Sequence, residues 1–363
     1  MKETKHIQQL LWTFLSAFFV LATSCKWENR NSETELQSET SNEQQTQWVD
    51  PLFEIEGQLC QHLRVIYQDK NDHLWFGTNV YGLMRYNGDT LEYFDDERGF
   101  ADGRVTGILE DDAGILWIGS SGGLTKYDGT TFTKFTEEDG LINHEIWSLI
   151  IDSYGLFWIG TMEGISQFDG ETFTTFEFPK AMVQDTNTIL SYNRISTILE
   201  DSSGTFWFGT DGFGITRYNP SAIGESAFTH FTKANGLPDN NIADIYEDKS
   251  GNIWIATMFG GVSRFDGNTF HNLNQDGTLE GLEAGGFYED KNGDLWFAVE
   301  HQGVYRYDGS GFANYNKDDG LQTGTVICIY QDRDERFWLG GWLGLFRFDG
   351  ERFFPVTKNG PWD

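Results

Sequence analysis

The residues of this chain that could do chemistry are few and scattered. Its seven histidines include no pair with the His-Glu-x-x-His spacing of a zinc protease. Its three cysteines, Cys25, Cys60 and Cys328, include no Cys-x-x-Cys pair. Because a structural or catalytic zinc ion needs three or four such ligands close together, the sequence predicts no metal site. It predicts no cofactor and no catalytic residue either.

Two short strings match functional motifs only in part. Residues 119–123, Gly-Ser-Ser-Gly-Gly, fit the Gly-x-Ser-x-Gly pattern of hydrolases, whose serine needs a turn from a strand into a helix. Asp290, Asn292 and Asp294 have the spacing that opens a calcium loop, but no glutamate stands at the twelfth position. Both strings lie in segments that repeat along the chain. We therefore interpret them as a loop and a hairpin turn.

Seven equivalent segments must position any functional residue. Tryptophan recurs at intervals of 42, 41, 49, 47, 42 and 42 residues, and an aspartate stands six residues before each. The pairs are Asp69 and Trp75, Asp111 and Trp117, Asp152 and Trp158, Asp201 and Trp207, Asp248 and Trp254, Asp290 and Trp296, and Asp332 and Trp338. A repeat of this length is typical of propellers and solenoids.

Each segment is predicted to form four short strands. The first strand ends at the aspartate, whose carboxylate accepts hydrogen bonds from the turn, and the second strand carries the tryptophan. A single sheet of this size cannot bury both of its faces, whereas sheets stacked around an axis can. We predict an all-β fold, a seven-bladed β-propeller with four antiparallel strands per blade, over residues 48–363.

The innermost strands are expected to crowd around the axis. Four residues before each aspartate the side chain is small or short, except at Asp244, which we interpret as a solvated carboxylate of the channel. Cys60 and Cys328 lie near the starts of blades 1 and 7, but their offsets from the aspartate differ by five residues. On parallel strands this is too far for a disulfide, so we predict two free thiols.

Several strings resemble a known repeat. Residues 157–161, Phe-Trp-Ile-Gly-Thr, and residues 82–88, Gly-Leu-Met-Arg-Tyr-Asn-Gly, resemble the two-component regulator propeller repeats. The resemblance covers about residues 57–357. That family includes periplasmic sensor regions of bacterial hybrid histidine kinases and stand-alone secreted proteins. The resemblance therefore implies an extracytoplasmic propeller of the sensor type.

The start of the chain is predicted to lie outside the ring. An apolar run from Leu10 to Ala22 ends in Leu-Ala-Thr-Ser before Cys25, which resembles a bacterial lipoprotein signal. We predict a signal peptide over residues 1–24 and a lipid on Cys25 as the only membrane attachment; a plain secretory signal is the alternative. Residues 25–47 are polar and predicted to be a disordered tether. The expected location is the cell envelope, in the periplasm or at the outer-membrane surface.

Candidate ligand-binding residues lie where the seven units differ, because residues common to all of them serve the shared fold. Loops after the second strands and connections into the first strands are expected on one face of the ring. The candidates are Tyr81, Met162, Glu163, Asp211, Phe213, Met258, Phe259, Glu300, His301 and Trp342, bordered by His144, Trp147 and Arg194. The alternative is that they pack on neighbouring loops. The long connection from Phe176 to Ile195 is a candidate lid.

These patterns favour binding over catalysis. The formal net charge of −31 argues against a nucleic-acid partner, whose phosphates need clustered Lys and Arg. The expected partner is a glycan, a peptide or an envelope protein, in a sensory role. One alternative is a propeller-type lyase or glycan-active hydrolase with Glu163, Glu300 or His301 as acid or base. Another is a structural scaffold of an envelope complex.

Overall fold

Twenty-eight strands in seven four-stranded antiparallel sheets make up the part of the chain that the computed structural model describes, residues 57–95, 98–100 and 103–362. Each sheet consists of four consecutive strands. The predicted all-β, seven-bladed propeller is therefore confirmed. The predicted signal peptide (1–24), the tether (25–47) and Cys25 lie outside the described residues.

The strands have the following bounds. Blade 1 has β1 (Leu63–Gln68), β2 (Leu74–Thr78), β3 (Leu83–Tyr86) and β4 (Leu91–Phe94), and blade 2 has β5 (Val105–Glu110), β6 (Leu116–Ser120), β7 (Gly123–Tyr127) and β8 (Phe132–Phe135). Blade 3 has β9 (Ile146–Ile151), β10 (Phe157–Thr161), β11 (Gly164–Phe168) and β12 (Phe173–Phe176), and blade 4 has β13 (Ile195–Glu200), β14 (Phe206–Thr210), β15 (Ile215–Tyr218) and β16 (Phe228–Phe231). Blade 5 has β17 (Ile242–Glu247), β18 (Ile253–Thr257), β19 (Gly261–Phe265) and β20 (Phe270–Asn272), and blade 6 has β21 (Ala284–Glu289), β22 (Leu295–Val299), β23 (Gly303–Tyr307) and β24 (Phe312–Tyr315). Blade 7 has β25 (Val326–Gln331), β26 (Phe337–Gly341), β27 (Gly344–Phe348) and β28 (Phe353–Val356). Single-turn 3-10 helices occupy Glu137–Asp139, Thr186–Thr188, Gly224–Ala227, Lys233–Asn235 and Lys317–Asp319.

The first strand of every blade lies innermost. Each one contacts the first strands of the two neighbouring blades, and β1 contacts β25, which closes the ring. Seven clusters of buried apolar side chains fill the junctions between adjacent blades in the described part of the chain. At the junction of blades 3 and 4, for example, Trp158 packs on Phe206 with ring centroids 4.3 Å apart. The core therefore lies between the sheets, as stacking requires.

The recurring aspartate and tryptophan are bonded to each other. In blade 3, one carboxylate oxygen of Asp152 accepts backbone N–H groups from Tyr154 and Leu156, both at 2.9 Å. Its other oxygen accepts the indole N–H of Trp158 at 2.8 Å. The same indole bond, 2.7–3.0 Å long, occurs in all seven blades. The predicted turn role is confirmed, and the indole bond explains the fixed spacing of six residues.

Side chains also bond adjacent blades at the hairpin end of the ring. The residue just before the aspartate accepts the backbone N–H of the residue just after the aspartate of the preceding blade. Six such bonds of 2.6–3.1 Å join Lys70 to Glu110, Ser153 to Glu200, Ser202 to Glu247, Lys249 to Glu289, Lys291 to Gln331 and Arg333 to Gln68. Blade 3 has Ile151 at the acceptor position, so the series is interrupted between blades 2 and 3.

The Asp244 carboxylate bonds blade 5 to blade 6, a role that the sequence did not predict. Pairing between β21 and β22 is interrupted between Gly285 and Tyr288. The Asp244 carboxylate reaches across from blade 5 and accepts the freed N–H of Phe287 at 3.0 Å and its own neighbour's N–H, that of Ile245, at 2.9 Å. The prediction of a solvated channel carboxylate missed this role: Asp244 is a half-buried acceptor that joins blades 5 and 6.

The seam between blades 7 and 1 closes without a shared sheet in the described residues. Blade 7 takes its outer strand from residues 353–356, and single bridges join Gln58 to Thr357 and His62 to Trp342. Trp362 stacks on Tyr86 of blade 1 with centroids 4.1 Å apart. Cys60 and Cys328 belong to the core cluster of this seam, and both thiols are free, as predicted.

Candidate functional site

The loops after the second strands and the connections that enter the first strands share one end of the blades. We call this surface the loop face. In six of the seven blades, the residue that follows the second strand donates its backbone N–H to the carbonyl seven residues before the aspartate. Bonds of 2.8–3.1 Å run from Asn79 to His62, Ser121 to Arg104, Met162 to Glu145, Met258 to Asn241, Glu300 to Glu283 and Trp342 to Thr325. The two sets of loops therefore form one continuous surface.

Exposed apolar side chains concentrate on the loop face. Among the described residues, nine large apolar side chains are exposed, and seven of them lie in loop-face segments: Val80, Met182, Leu190, Tyr192, Phe259, Leu282 and Trp342. The other two, Tyr154 and Ile223, lie in hairpin turns at the opposite end of the blades. Phe259 is 53% exposed and Trp342 is 52% exposed. The Trp342 ring stands against His62 with centroids 4.1 Å apart.

Four other candidates hold the long connection of residues 177–194 in place. Glu163 accepts the Asn193 amide at 2.7 Å, and Met162 Sδ lies 3.9 Å from the Ser191 hydroxyl. Phe213 packs near Tyr192 with centroids 5.7 Å apart. Asp211 is only 1% exposed; its side chain forms an ion pair with Arg194 and its carbonyl accepts the N–H of Leu190. Asp211 is therefore a buried support, and a ligand cannot reach it from the surface.

The connection itself is bonded over three blades. Besides Asn193 and Leu190, it includes Thr188, whose carbonyl accepts the Asn241 amide at 3.1 Å from blade 5. Lys180 donates to the Tyr192 carbonyl and to Asn193 within the connection. These bonds favour a fixed addition to the loop face over the predicted lid. Its exposed tips are Met182, Leu190 and Tyr192.

The remaining loop candidates differ in their surroundings. Tyr81 is half-buried and packs on the core cluster of the seam, and Met258 is half-buried beside exposed Phe259. His144 bonds to Glu137 within the same connection, between β8 and β9, at 2.7 Å. For Tyr81 the packing alternative is the better interpretation, because its side chain already belongs to the core.

Glu300 and His301 lie beside a small cleft. Burial and the neighbouring Glu300 carboxylate raise the pKa of Glu283 to about 7, so Glu283 is partly protonated near neutral pH. His301 has a positive φ of 62°. It lines a cleft of about 260 Å³ together with Gln302, Gly303, Asn314, Asn316, Lys317, Thr323 and Gly324. This volume is below the usual range for a drug-sized ligand.

Side chains at the axis were partly missed by the sequence analysis. The first strand bulges five residues before the aspartate in most blades, and Arg64 and Trp147 occupy this bulge in blades 1 and 3. Arg104 of blade 2 and Arg194 of blade 4 place their guanidinium carbons 3.8 Å and 4.1 Å from the Trp147 ring centroid. Trp147 and Arg194 were predicted at this mouth. Arg64 becomes visible only when the bulge position is aligned across the seven units, and Arg104 only when the position of Arg194, seven residues before the aspartate, is aligned.

Two absences in the described part of the chain concern metal binding and membrane-spanning helices. No group of three or more His, Cys, Asp or Glu side chains there is placed to hold a metal ion. No helix there has the length and hydropathy to cross a bilayer.

Comparison with known proteins identifies the repeat. The model of the family described as two component regulator propeller matches residues 58–80, 99–122, 140–163, 189–212, 236–259 and 320–343. These matches cover blades 1 to 5 and blade 7. The corresponding part of blade 6, which has no match, contains the interrupted β21. No curated protein sequence matches the chain.

Solved structures match the chain at low sequence identity. The extracellular domain of a putative hybrid two component system from B. thetaiotaomicron is 20% identical with a TM-score of 0.41, over 80% of this chain and 51% of that one. PorZ, a surface component of the type-IX secretion system of Porphyromonas gingivalis, is 13% identical with a TM-score of 0.59, over 79% of this chain and 46% of that one. Virginiamycin B lyase from Staphylococcus aureus is 14% identical with a TM-score of 0.60, over 82% of this chain and 96% of that one.

The chain thus spans about half the length of the first two of these structures. At such identities, the likeness of PorZ and of the lyase supports the fold and not an activity. The repeated family matches, the fixed Asp and Trp pairs and the seven blades agree with one another. The chain belongs to the two component regulator propeller family.

Proposed function

We propose that the ring is an extracytoplasmic binding module that recognises a glycan, a peptide or an envelope protein through its loop face and serves a sensory or envelope system. A lipid on Cys25 would hold it at the membrane. The observation that carries this proposal is the concentration of exposed apolar side chains on the loop face, seven of the nine in the described residues.

Exposed apolar surface is unfavourable in water unless a partner covers it. Soluble monomers rarely keep large contiguous apolar patches without a binding role. Among the described residues, the hairpin end carries two exposed large apolar side chains, Tyr154 and Ile223, whereas the loop face carries seven, including Phe259, Trp342 and Tyr192. Aromatic side chains of this kind supply large contact area to sugars and to peptides. The asymmetry between the two ends supports binding at the loop face.

Seven-fold repetition supports the same assignment. A side chain that recurs in every blade stabilises every blade, so it cannot mark one site. Phe259, Trp342, Tyr192 and the carboxyl pair at Glu300 occur once each. PorZ, a solved structure with the same fold, is a bacterial surface component. A role outside the cytoplasm fits the signal-like segment before Cys25.

The test compares apolar pairs at the two ends of the blades. The soluble ring is screened by thermal shift against glycans, peptides and envelope extracts, because a ligand that binds the folded state raises Tm. Phe259→Ala with Trp342→Ala should abolish the shift. The control, Tyr154→Ala with Ile223→Ala, removes two apolar side chains from the opposite end and should leave it unchanged.

The same screen separates binding from the catalytic alternative. A shift that survives in the Phe259 and Trp342 double variant would refute the loop-face site. Each ligand that gives a shift is also followed by mass spectrometry for conversion. Turnover that stops in Glu283→Gln, with the thermal shift retained, would instead favour catalysis at the Glu283 and Glu300 pair beside His301.

A further inference from the structure

Three arginines from different blades meet at the axis on the loop-face side. Arg64 occupies the bulge of β1, where the pairing with β2 passes from Leu63 directly to Val65. Arg104 and Arg194 each stand one residue before the first strand of their blade. We call Arg64, Arg104 and Arg194, together with Trp147, the axial arginine cluster. A bulge re-aims the side chain it carries, which explains why Arg64 leaves the sheet.

Trp147 fixes two of these arginines. It belongs to blade 3, and the guanidinium groups of Arg104 and Arg194 reach it from the blades on either side, at 3.8 Å and 4.1 Å. Arg104 also pairs with Glu145 at 2.9 Å, and Arg194 pairs with Asp211. Planar stacking and ion pairs together pre-organise both guanidinium groups.

Arg64 faces the other two across the axis. Burial is the main cause that lowers its pKa to about 10, and the positive charges of Arg104 and Arg194 lower it further. Blades 1 and 4 are not neighbours in a ring of seven, so Arg64 and Arg194 can interact in this way only across the centre. The three side chains therefore surround one volume.

This volume carries an excess of positive charge. Arg104 and Arg194 have carboxylate partners, but no acidic side chain among the described residues pairs with Arg64. His62 lies nearby, and burial together with Arg64 lowers its pKa, which favours the neutral imidazole, so it supplies no counter-charge. Burial raises the pKa of the Cys328 thiol to about 12, so it stays neutral. One guanidinium charge is left without a counter-charge.

The same groups leave hydrogen-bond donors unused. The Nε atoms of Arg64, Arg104 and Arg194, Nε1 of Trp147 and Oγ of Ser196 are buried, and none has a partner among the described protein atoms. A buried donor without an acceptor is costly, and a buried charge without a counter-charge is more so. Water would satisfy the donors but leave the charge, whereas an oxyanion satisfies both.

From this arrangement we propose that the axial arginine cluster binds one oxyanion group, a carboxylate, sulfate or phosphate, of the ligand that the loop face recognises. The inference rests on the proposed function and adds the charge of its ligand. Guanidinium groups suit oxyanions because their N–H groups pair with two oxygens at once. The Trp147 ring is covered by Arg104 and Arg194, so its role is to position the arginines.

The experiment measures oxyanion binding by thermal shift and calorimetry on the folded ring. The probes are sodium sulfate, sodium phosphate and sodium glucuronate, with sodium chloride at equal ionic strength and neutral glucose as references. At least one oxyanion should raise Tm above both references in the wild type. Arg64→Gln should weaken that binding about tenfold or more, as the loss of charged hydrogen bonds predicts. Arg64→Lys, which keeps the positive charge but loses the paired N–H donors of the planar guanidinium group, should bind the oxyanion with intermediate affinity.

The control is Arg352→Gln, which removes the same charge at the hairpin end of blade 7 and should bind like the wild type. No oxyanion shift in the wild type, or an equal shift in Arg64→Gln, would overturn the proposal. Because Arg64→Gln also removes an uncompensated charge, each shift is referred to the ligand-free Tm of the same variant. Phe259→Ala with Trp342→Ala should keep the oxyanion shift, so failure of the loop-face site and failure of the anion site are distinguishable.

Discussion

Single carboxylates at buried or half-buried positions join parts of the backbone that no strand pairing connects. The seven repeated aspartates do this within a hairpin, and Asp244 does it once between blades 5 and 6. Only the second kind is asymmetric. Burial raises the pKa of Asp244 to about 6, although the N–H groups of Phe287, Ile245 and Gly286 partly oppose this.

The raised pKa of Asp244 predicts a pH-dependent stability. The folded state holds the proton of Asp244 more tightly than the unfolded chain does. The protonated carboxyl therefore contributes its full stabilisation of the folded state below about pH 4, and this stabilisation is lost as the pH rises through about 6. Relative to Asp244→Asn, the wild type should lose roughly 1–3 kcal/mol of unfolding free energy over that interval. Denaturant titrations at pH 4.5 to 8 measure it, with Asp128→Asn at an exposed turn as the control. A constant difference between wild type and Asp244→Asn would contradict it.

At the scale of elements, the hairpins carry a second set of bonds from blade to blade. The Glu247 carboxylate accepts both the backbone N–H of Ser202 at 2.6 Å and its hydroxyl at 2.7 Å. Ile151 leaves one junction without such a bond, so the fold accommodates a junction that lacks it. They stabilise the relative position of neighbouring sheets.

We expect Glu247→Ala to lower the unfolding free energy by about 1–2 kcal/mol, because two hydrogen bonds to a charged acceptor are lost at the junction of blades 4 and 5. Glu171→Ala, at an exposed turn of blade 3, is the matched control and should change little. Equilibrium denaturation of both variants measures the difference. Equal stability of the two variants would mean that solvent replaces the interblade bonds at no cost.

The sequence predicted the blades, but it did not predict the bulge of the first strands or the fold of the long connection. The blades were predictable because Asp152, Trp158 and their equivalents keep one spacing that the indole bond enforces. The bulge has no such residue signature: Arg64, Trp147 and Ser196 share it without sharing a property. Exposed Phe259 and Trp342 followed from loop position alone. The burial of Asp211 did not, because it depends on where a long connection folds.

At the scale of the whole molecule, the seam between blades 7 and 1 differs from the other junctions. It joins distant parts of the chain, and its contacts include Trp362 on Tyr86, Arg333 bonded to Gln68 and the bridge from Gln58 to Thr357. Trp362 also lies 6.2 Å from Trp338 between ring centroids. Closure therefore combines an apolar core cluster, as at the other junctions, with these additional aromatic and polar contacts.

Trp362→Ala should open this seam first. Loss of the stacked ring should cost about 1–3 kcal/mol, and hydrogen exchange should quicken in β1 and β25 before it quickens in β13. Phe354→Ala, on the outer strand of the same blade, is the control for general weakening of blade 7. Equally faster hydrogen exchange in all seven first strands would contradict a preferential opening at the seam.

Every described blade is built from one continuous stretch of chain, so the order of the blades in the sequence can be changed without breaking a sheet. Because residues 58 and 357 already touch, a short peptide link between them and new termini in another interblade connection would leave every described sheet intact. Circular permutation, and by the same logic duplication or deletion of a whole unit in the gene, needs no strand to be exchanged between sheets.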